Sequence, residues 1–153
     1  MNKKFEELVG QMPVLLERLR SSPLKLSRSL GELPKSGIYV FFERGRAIYV
    51  GRSRRMKDRI KEHGRPSSTH GSAPFAFNMA KKAAERKGID TDKPRDALAE
   101  NDAFAKLFSD AKERVSKMSV RVIEVNDSIE QTLFEVYAAI DLETTEYNDF
   151  DTH

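Results

Sequence analysis

The chain has 153 residues and a mass of 17.4 kDa, with 39% hydrophobic and 33% charged residues. That length suits one domain, or one domain with an extension. No run nears the roughly 18 consecutive apolar residues of a membrane helix, and no apolar segment follows Met1, so neither a membrane-spanning nor a secreted protein is expected.

There is no cysteine. That excludes disulfides, cysteine-zinc sites and thiol nucleophiles, and it fits a cytoplasmic location. The net charge of +3 conceals an asymmetry. Residues 1–65 hold 16 Lys/Arg against 7 Asp/Glu, whereas residues 66–153 hold 11 against 17. A basic half beside an acidic half suits a surface that faces a polyanion, backed by a solvated one.

Residues 2–20 predict a helix: Phe5, Leu8, Val9, Met12, Leu15, Leu16 and Leu19 recur at spacings of three and four. Pro13 either kinks it or starts a second short helix. Residues 21–36 read as a connector, so 1–35 form an N-terminal helical extension to a domain over 36–153.

Residues 38–43 and 46–50 are rich in β-branched and aromatic types and flank Arg44-Gly45, which predicts a β-hairpin. A strict two-residue loop would pair Glu43 with Arg46 and put Tyr39 and Tyr49 on opposite faces. A loop of odd length, such as residues 44–46, gives the cleaner core face and is expected; it pairs Glu43 with Ala47. It groups Val40, Phe42, Ile48 and Val50 on one face and puts Tyr39, Tyr49 and Gly51 on the other.

Residues 53–63 predict a helix capped by Ser53, with Met56, Arg59, Ile60 and His63 sharing one face. Residues 64–74 read as a loop. Residues 75–87 and about 96–117 read as helices joined by a Gly88–Pro94 linker, so about 65–118 form a helical insertion. A third strand is expected at 119–125. A last helix, capped by Asp127 or Ser128, is expected to run to about 142 with Ile129, Leu133, Tyr137 and Ile140 on its stripe. The tail Thr144–His153 reads as irregular.

Several residues carry chemistry. Arg59 and His63 share the inward stripe of the helix after the hairpin, and an inward cation needs an anion. That anion is either a carboxylate of the chain or a phosphate held in the guanidinium fork. Tyr39 and Tyr49 share a strand face, and a phenol becomes a base only where nearby cations depress its pKa. Glu135, next to the small Ala138 and Ala139, supplies the single carboxylate that a magnesium ion needs alongside waters and a phosphate. Arg52, Arg54, Arg55, Lys57, Lys61, Arg65 and His70 form the candidate nucleic-acid surface around that helix and the loop after it. Phosphate-loop, dinucleotide-binding, metalloprotease and G-x-S-x-G signatures are absent; His63, His70 and His153 lack ligand spacing.

The run Gly37-Ile38-Tyr39, nine residues, then Tyr49-Val50-Gly51 resembles the GIY-YIG nuclease family. Arg59 follows ten residues after the second tyrosine and His63 four later. Glu135 and then Asn148 take the places of the family's late-helix glutamate and downstream asparagine. These are six ordered positions over 112 residues. Val50 replaces the isoleucine of YIG, residues 65–118 exceed a minimal domain, and Glu130 is a competing carboxylate on the same helix.

The resemblance implies a small α/β domain of the α+β kind, a three-stranded, mainly antiparallel sheet flanked by helices. It implies hydrolysis of phosphodiester bonds in DNA with Mg²⁺ or Mn²⁺. In that scheme Glu135 holds the metal, Arg59 stabilises the phosphate and Tyr39 with a depressed pKa takes a proton from water. Tyr49 and His63 orient those groups, Asn148 hydrogen-bonds within the site, and Gly37 and Gly51 allow close approach. A cytoplasmic, nucleoid-associated location fits, and a homodimer or a protein partner on the N-terminal helix is compatible.

Two other classes share parts of this pattern. A catalytically inactive DNA- or RNA-binding module on the same scaffold would carry the same charge footprint. An interaction protein would work through the 2–20 helix.

Overall fold

A computed structural model describes residues 1–150 and orders them as α1 (Lys3–Ser21), β1 (Lys25–Leu26), β2 (Gly37–Glu43), β3 (Arg46–Ser53), α2 (Met56–Gly64), α3 (Pro74–Arg86), α4 (Arg95–Glu100), α5 (Asp102–Ser116), β4 (Ser119–Glu124) and α6 (Ser128–Asp141). Residues 151–153, with His153, lie outside the described residues. Among the described residues, no helix is long and apolar enough to cross a membrane.

The fold is mixed α/β with an antiparallel sheet of order β1-β4-β2-β3. The expected three strands become four. Lys25 and Leu26, inside the segment read as a connector, pair with Val120 and Ser119. Two residues are too few to show alternation, so nothing in the sequence marks them.

The hairpin reconciles two registers. Its loop is the two-residue Arg44-Gly45, both with positive φ (53° and 77°), the conformation that matches the twist of paired strands. Glu43 therefore faces Arg46 and Phe42 faces Ala47. A bulge then leaves Ile48 unpaired, so Phe41 faces Tyr49 and Tyr39 faces Gly51, as the odd-loop register requires. The bulge corrects one assignment: Ile48 packs with Tyr39 and Phe41, not with Val40, Phe42 and Val50.

Each face of the sheet has its own core. On one side Tyr39, Phe41 and Val120 meet α2, α3 and α5 through Met56, Ile60, Phe75, Phe77, Phe104 and Val115. On the other, Ile38, Val40, Val50 and Ile123 meet α1 and α6 through Met12, Leu15, Leu16, Leu19, Phe134 and Ala138. Residues 65–118 thus supply most of one core, and α1 supplies a third of the other. Arg114 of α5 grips Glu43 at the end of β2 in a two-pronged ion pair (2.7 and 2.8 Å).

Local details depart from the sequence reading. Pro13 lies inside a single α1. The stripe of α1 is only partly used: Phe5 and Val9 are 44% and 45% exposed. Ser53 ends β3 and binds the Arg55 N–H (2.8 Å), so it does not cap α2, which starts at Met56. The helix expected over 96–117 breaks at Asn101, whose side chain caps α5 through the Phe104 N–H. On α6 the inward residues are Gln131, Phe134, Ala138 and Ala139. Ile129 and Ile140 face outward, 56% and 64% exposed. Leu133 and Tyr137 of the expected stripe do pack partly against the core, so the stripe straddles the edge of the buried face and is not its centre.

Candidate functional site

The site forms where the edge strand β3 meets α2 and α6. Tyr39 and Tyr49 project from one face of β2 and β3, as the register dictates. Tyr39 is 1% exposed, and its hydroxyl lies 2.6 Å from His63 Nε2. His63 is fully buried among the rings of Tyr39, Phe41, Tyr49 and Phe75, with centroid separations of 5.4–6.4 Å. Burial, reinforced by the Arg59 charge, pushes its pKa down to about 3. It is therefore neutral at working pH and serves as hydrogen-bond partner to the phenol; its Nδ1 has none among the described residues.

The short helix α2 delivers Arg59 and His63 together because they are four residues apart. Arg59 donates to the Ser72 carbonyl (3.0 Å) and to Glu62 (3.3 Å). Glu62 is pulled two ways: burial raises its pKa, but hydrogen bonds from Arg55 and Arg59 outweigh that and hold it below the usual carboxylate range. Arg59 thus has a structural anion on its own helix while its head remains partly exposed. Lys112 fixes the loop that receives it, donating to the carbonyls of Pro66 and Ser68 (2.7 and 2.8 Å).

Electrostatics tie the four principal residues into one cluster. Burial raises the Tyr39 pKa well above its usual value, and Tyr49 and Glu135 add to that while Arg59 opposes it. The Tyr49 pKa is raised by burial and then by Glu135, again against Arg59. Both phenols therefore sense the charges of Arg59 and Glu135. The direction corrects the expectation of a depressed Tyr39 pKa: one guanidinium does not offset complete burial, so the phenol keeps its proton.

Glu135 comes from the opposite layer, on the flank of the buried face of α6. Burial raises its pKa against the pull of Arg52, whose Nε lies 3.6 Å from the carboxylate. Its side chain is 24% exposed and reachable from solvent. Among the described residues, no three His, Asp or Glu side chains gather into a metal cage. A single hard oxygen donor at a reachable position fits a magnesium ion that takes its other ligands from water and phosphate.

Asn148 is brought close but engaged elsewhere. Its Oδ1 accepts from the Val50 N–H (3.0 Å) and the Thr144 hydroxyl (2.8 Å), and its Nδ2 donates to the Val50 carbonyl (2.7 Å). It completes the free edge of β3 between Tyr49 and Gly51. The two glycines are explained by close approach within the fold. A Cβ at Gly51 would strike the Tyr39 ring, and one at Gly37 would strike the Ile123 carbonyl.

The expected nucleic-acid residues divide. Arg54, Lys57, Lys61 and Arg65 are exposed, whereas Arg52 pairs with Glu135, Arg55 with Glu62 and His70 with Asp96. Sequence reasoning missed Phe75, which stacks flat on Tyr49 (4.6 Å, 9°), a contact worth about 0.5–1.5 kcal/mol beyond area. It also missed the Ser72 carbonyl. A phenylalanine after a proline reads as ordinary core, and a backbone carbonyl leaves no mark in a sequence.

Comparison with family models, with curated proteins and with solved structures returns no match for this chain. The GIY-YIG resemblance rests on its own residues.

Proposed function

We propose that the protein is a metal-dependent endonuclease that hydrolyses phosphodiester bonds in DNA. One arrangement carries the reading: Tyr39, Tyr49, Arg59 and Glu135, up to 96 positions apart in the chain, gather at one sheet edge, where the Arg59 and Glu135 charges bear on both phenols. No packing requirement calls for that combination. A buried tyrosine pair is satisfied without a carboxylate reached from the opposite layer.

The roles follow from geometry. Arg59, partly exposed and held by the Ser72 carbonyl, neutralises charge growing at the phosphorus centre. Tyr39, positioned by His63, would act as the base in its ionised form, which the charge of a cation bound at Glu135 would favour over the protonated phenol by drawing the hydroxyl proton off to solvent. Tyr49, clamped by Phe75, orients that water. Glu135 holds the Mg²⁺ or Mn²⁺ ion. When bound, the cation supplies Lewis-acid charge and reverses the sign of the field that Glu135 exerts on both phenols. Arg54, Lys57, Lys61 and Arg65 contact phosphates along the strand.

The test is incubation of supercoiled plasmid, flap, nicked and single-stranded DNA with wild type and Glu135→Ala, with Mg²⁺ and with chelator. Cleavage by wild type in Mg²⁺ alone, with DNA binding retained by the variant, is the expected result. Binding without cleavage under every condition would instead identify an inactive nucleic-acid-binding module. Equal cleavage by both proteins would remove Glu135 from the mechanism.

A further inference from the structure

The cation beside Glu135 is loosely held. Arg52 lies on the edge strand β3, opposite Ile38, and its Nε stands 3.6 Å from the Glu135 carboxylate, beyond hydrogen-bond reach. Its side chain is 44% exposed. A structural clamp in this chain looks different: Arg114 grips Glu43 with two hydrogen bonds of 2.7 and 2.8 Å. Arg59, the other arginine of the site, is anchored at Nη1 by both Glu62 and the Ser72 carbonyl.

Glu135 nevertheless needs a positive neighbour. It flanks Gln131, Phe134, Ala138 and Ala139, the buried residues of α6, and its side chain is 24% exposed. A carboxylate withdrawn from water to that extent keeps its charge only beside a cation. Arg52 is the charge that opposes burial there. A guanidinium suits the task because it stays positive at every working pH.

Carboxylate oxygens are also what a hard divalent ion binds. Arg52 and such an ion therefore compete for one side chain. An ion held by Glu135 stands beside the guanidinium, and like charges at that separation repel. Arg52 sits at a sheet edge with solvent next to it, so its long side chain has room to turn away.

We propose that Arg52 is a displaceable counter-ion of the metal site: it holds the cation position of Glu135 in the metal-free protein, a divalent ion drives it out, and the competition sets the affinity of the site. The proposal rests on the metal-dependent reading given above. Arg52 acts through Glu135 and is a positioning residue.

The test measures metal binding by the chelator-treated full chain, with no DNA present. Mn²⁺ is titrated into wild type, Glu135→Ala, Arg52→Gln and Arg52→Lys, and the free ion is followed by its paramagnetic resonance signal. Wild type is expected to bind Mn²⁺ at a site that Glu135→Ala lacks. Arg52→Gln is expected to bind at least about fivefold tighter, because a positive charge a few ångström from the ion is gone. Arg52→Lys keeps that charge and is expected to stay within about twofold of wild type. A Glu135-dependent site detectable only in Arg52→Gln has the same meaning. An exposed pair contributes little to stability, so melting in chelator is expected to match wild type for both Arg52 variants.

Glu135-dependent binding that is equal or weaker in Arg52→Gln overturns the proposal and leaves the metal reading standing. Arg52→Lys binding as tightly as Arg52→Gln also overturns it, because charge would not be what competes. Absence of Glu135-dependent binding in all the chains overturns the metal reading and the proposal together.

Discussion

The hydroxyl of Tyr39 and Nε2 of His63 lie 2.6 Å apart, and both side chains are buried. The contact joins the middle of β2 to the last turn of α2 and sets the direction of the phenol. It also makes His63 a poor proton store, because a cation at that depth is strongly disfavoured.

Replacing Tyr39 by Phe keeps the ring and removes the oxygen. The expected outcome is a loss of Mg²⁺-dependent cleavage of at least about 100-fold. The stability cost is about 1–3 kcal/mol, from the ring nitrogen left without a partner. Plasmid cleavage and urea denaturation measure the two effects. Undiminished cleavage would exclude Tyr39 as the base.

His63 makes stability depend on pH. Its folded pKa is about 3, below the 6.5 of an unfolded chain, so the unfolded state binds the extra proton. Its stabilising effect is complete above pH 6.5 and declines as pH falls toward 3, at up to about 1.4 kcal/mol per pH unit. Between pH 6.5 and 5.5, where most carboxylates do not titrate, the slope is expected in wild type and absent in His63→Gln. Urea denaturation at several pH values checks this. A flat wild-type profile would mean that the imidazole is protonated in the fold.

Asn148 predicts an effect confined to one strand edge. Asn148→Ala leaves the Val50 N–H and C=O unpaired at a cost of about 1–3 kcal/mol. Amide exchange at Val50 is expected to accelerate far more than exchange at Val40 across the ladder. Equal acceleration at both would show global loosening.

Gly51 is required by its neighbour on the strand opposite. Gly51→Ala places a methyl against the Tyr39 ring, so overpacking of about 1–3 kcal/mol is expected. The double variant Gly51→Ala, Tyr39→Ala is expected to recover part of the cost of the glycine change. Additive costs in denaturation would place the clash elsewhere.

Much of this architecture is legible in the chain. The hairpin, the shared face of Met56, Ile60 and His63, the Asp127 cap and the third strand follow from side-chain period and capping chemistry, which act over a few residues. The order of Tyr39, Tyr49, Arg59, His63, Glu135 and Asn148 is visible for the same reason. Only the folded chain decided the rest. The sheet edge joins residues that no local rule relates, so Ser72 and Phe75 enter the site unannounced and Asn148 turns to the Val50 backbone. Burial likewise depends on atoms from every layer, which is why the Tyr39 pKa rises where its local sequence suggested a fall. The bulge at Ile48 is the smallest example: one unpaired residue, selected by packing on both faces, brings the tyrosines to one side.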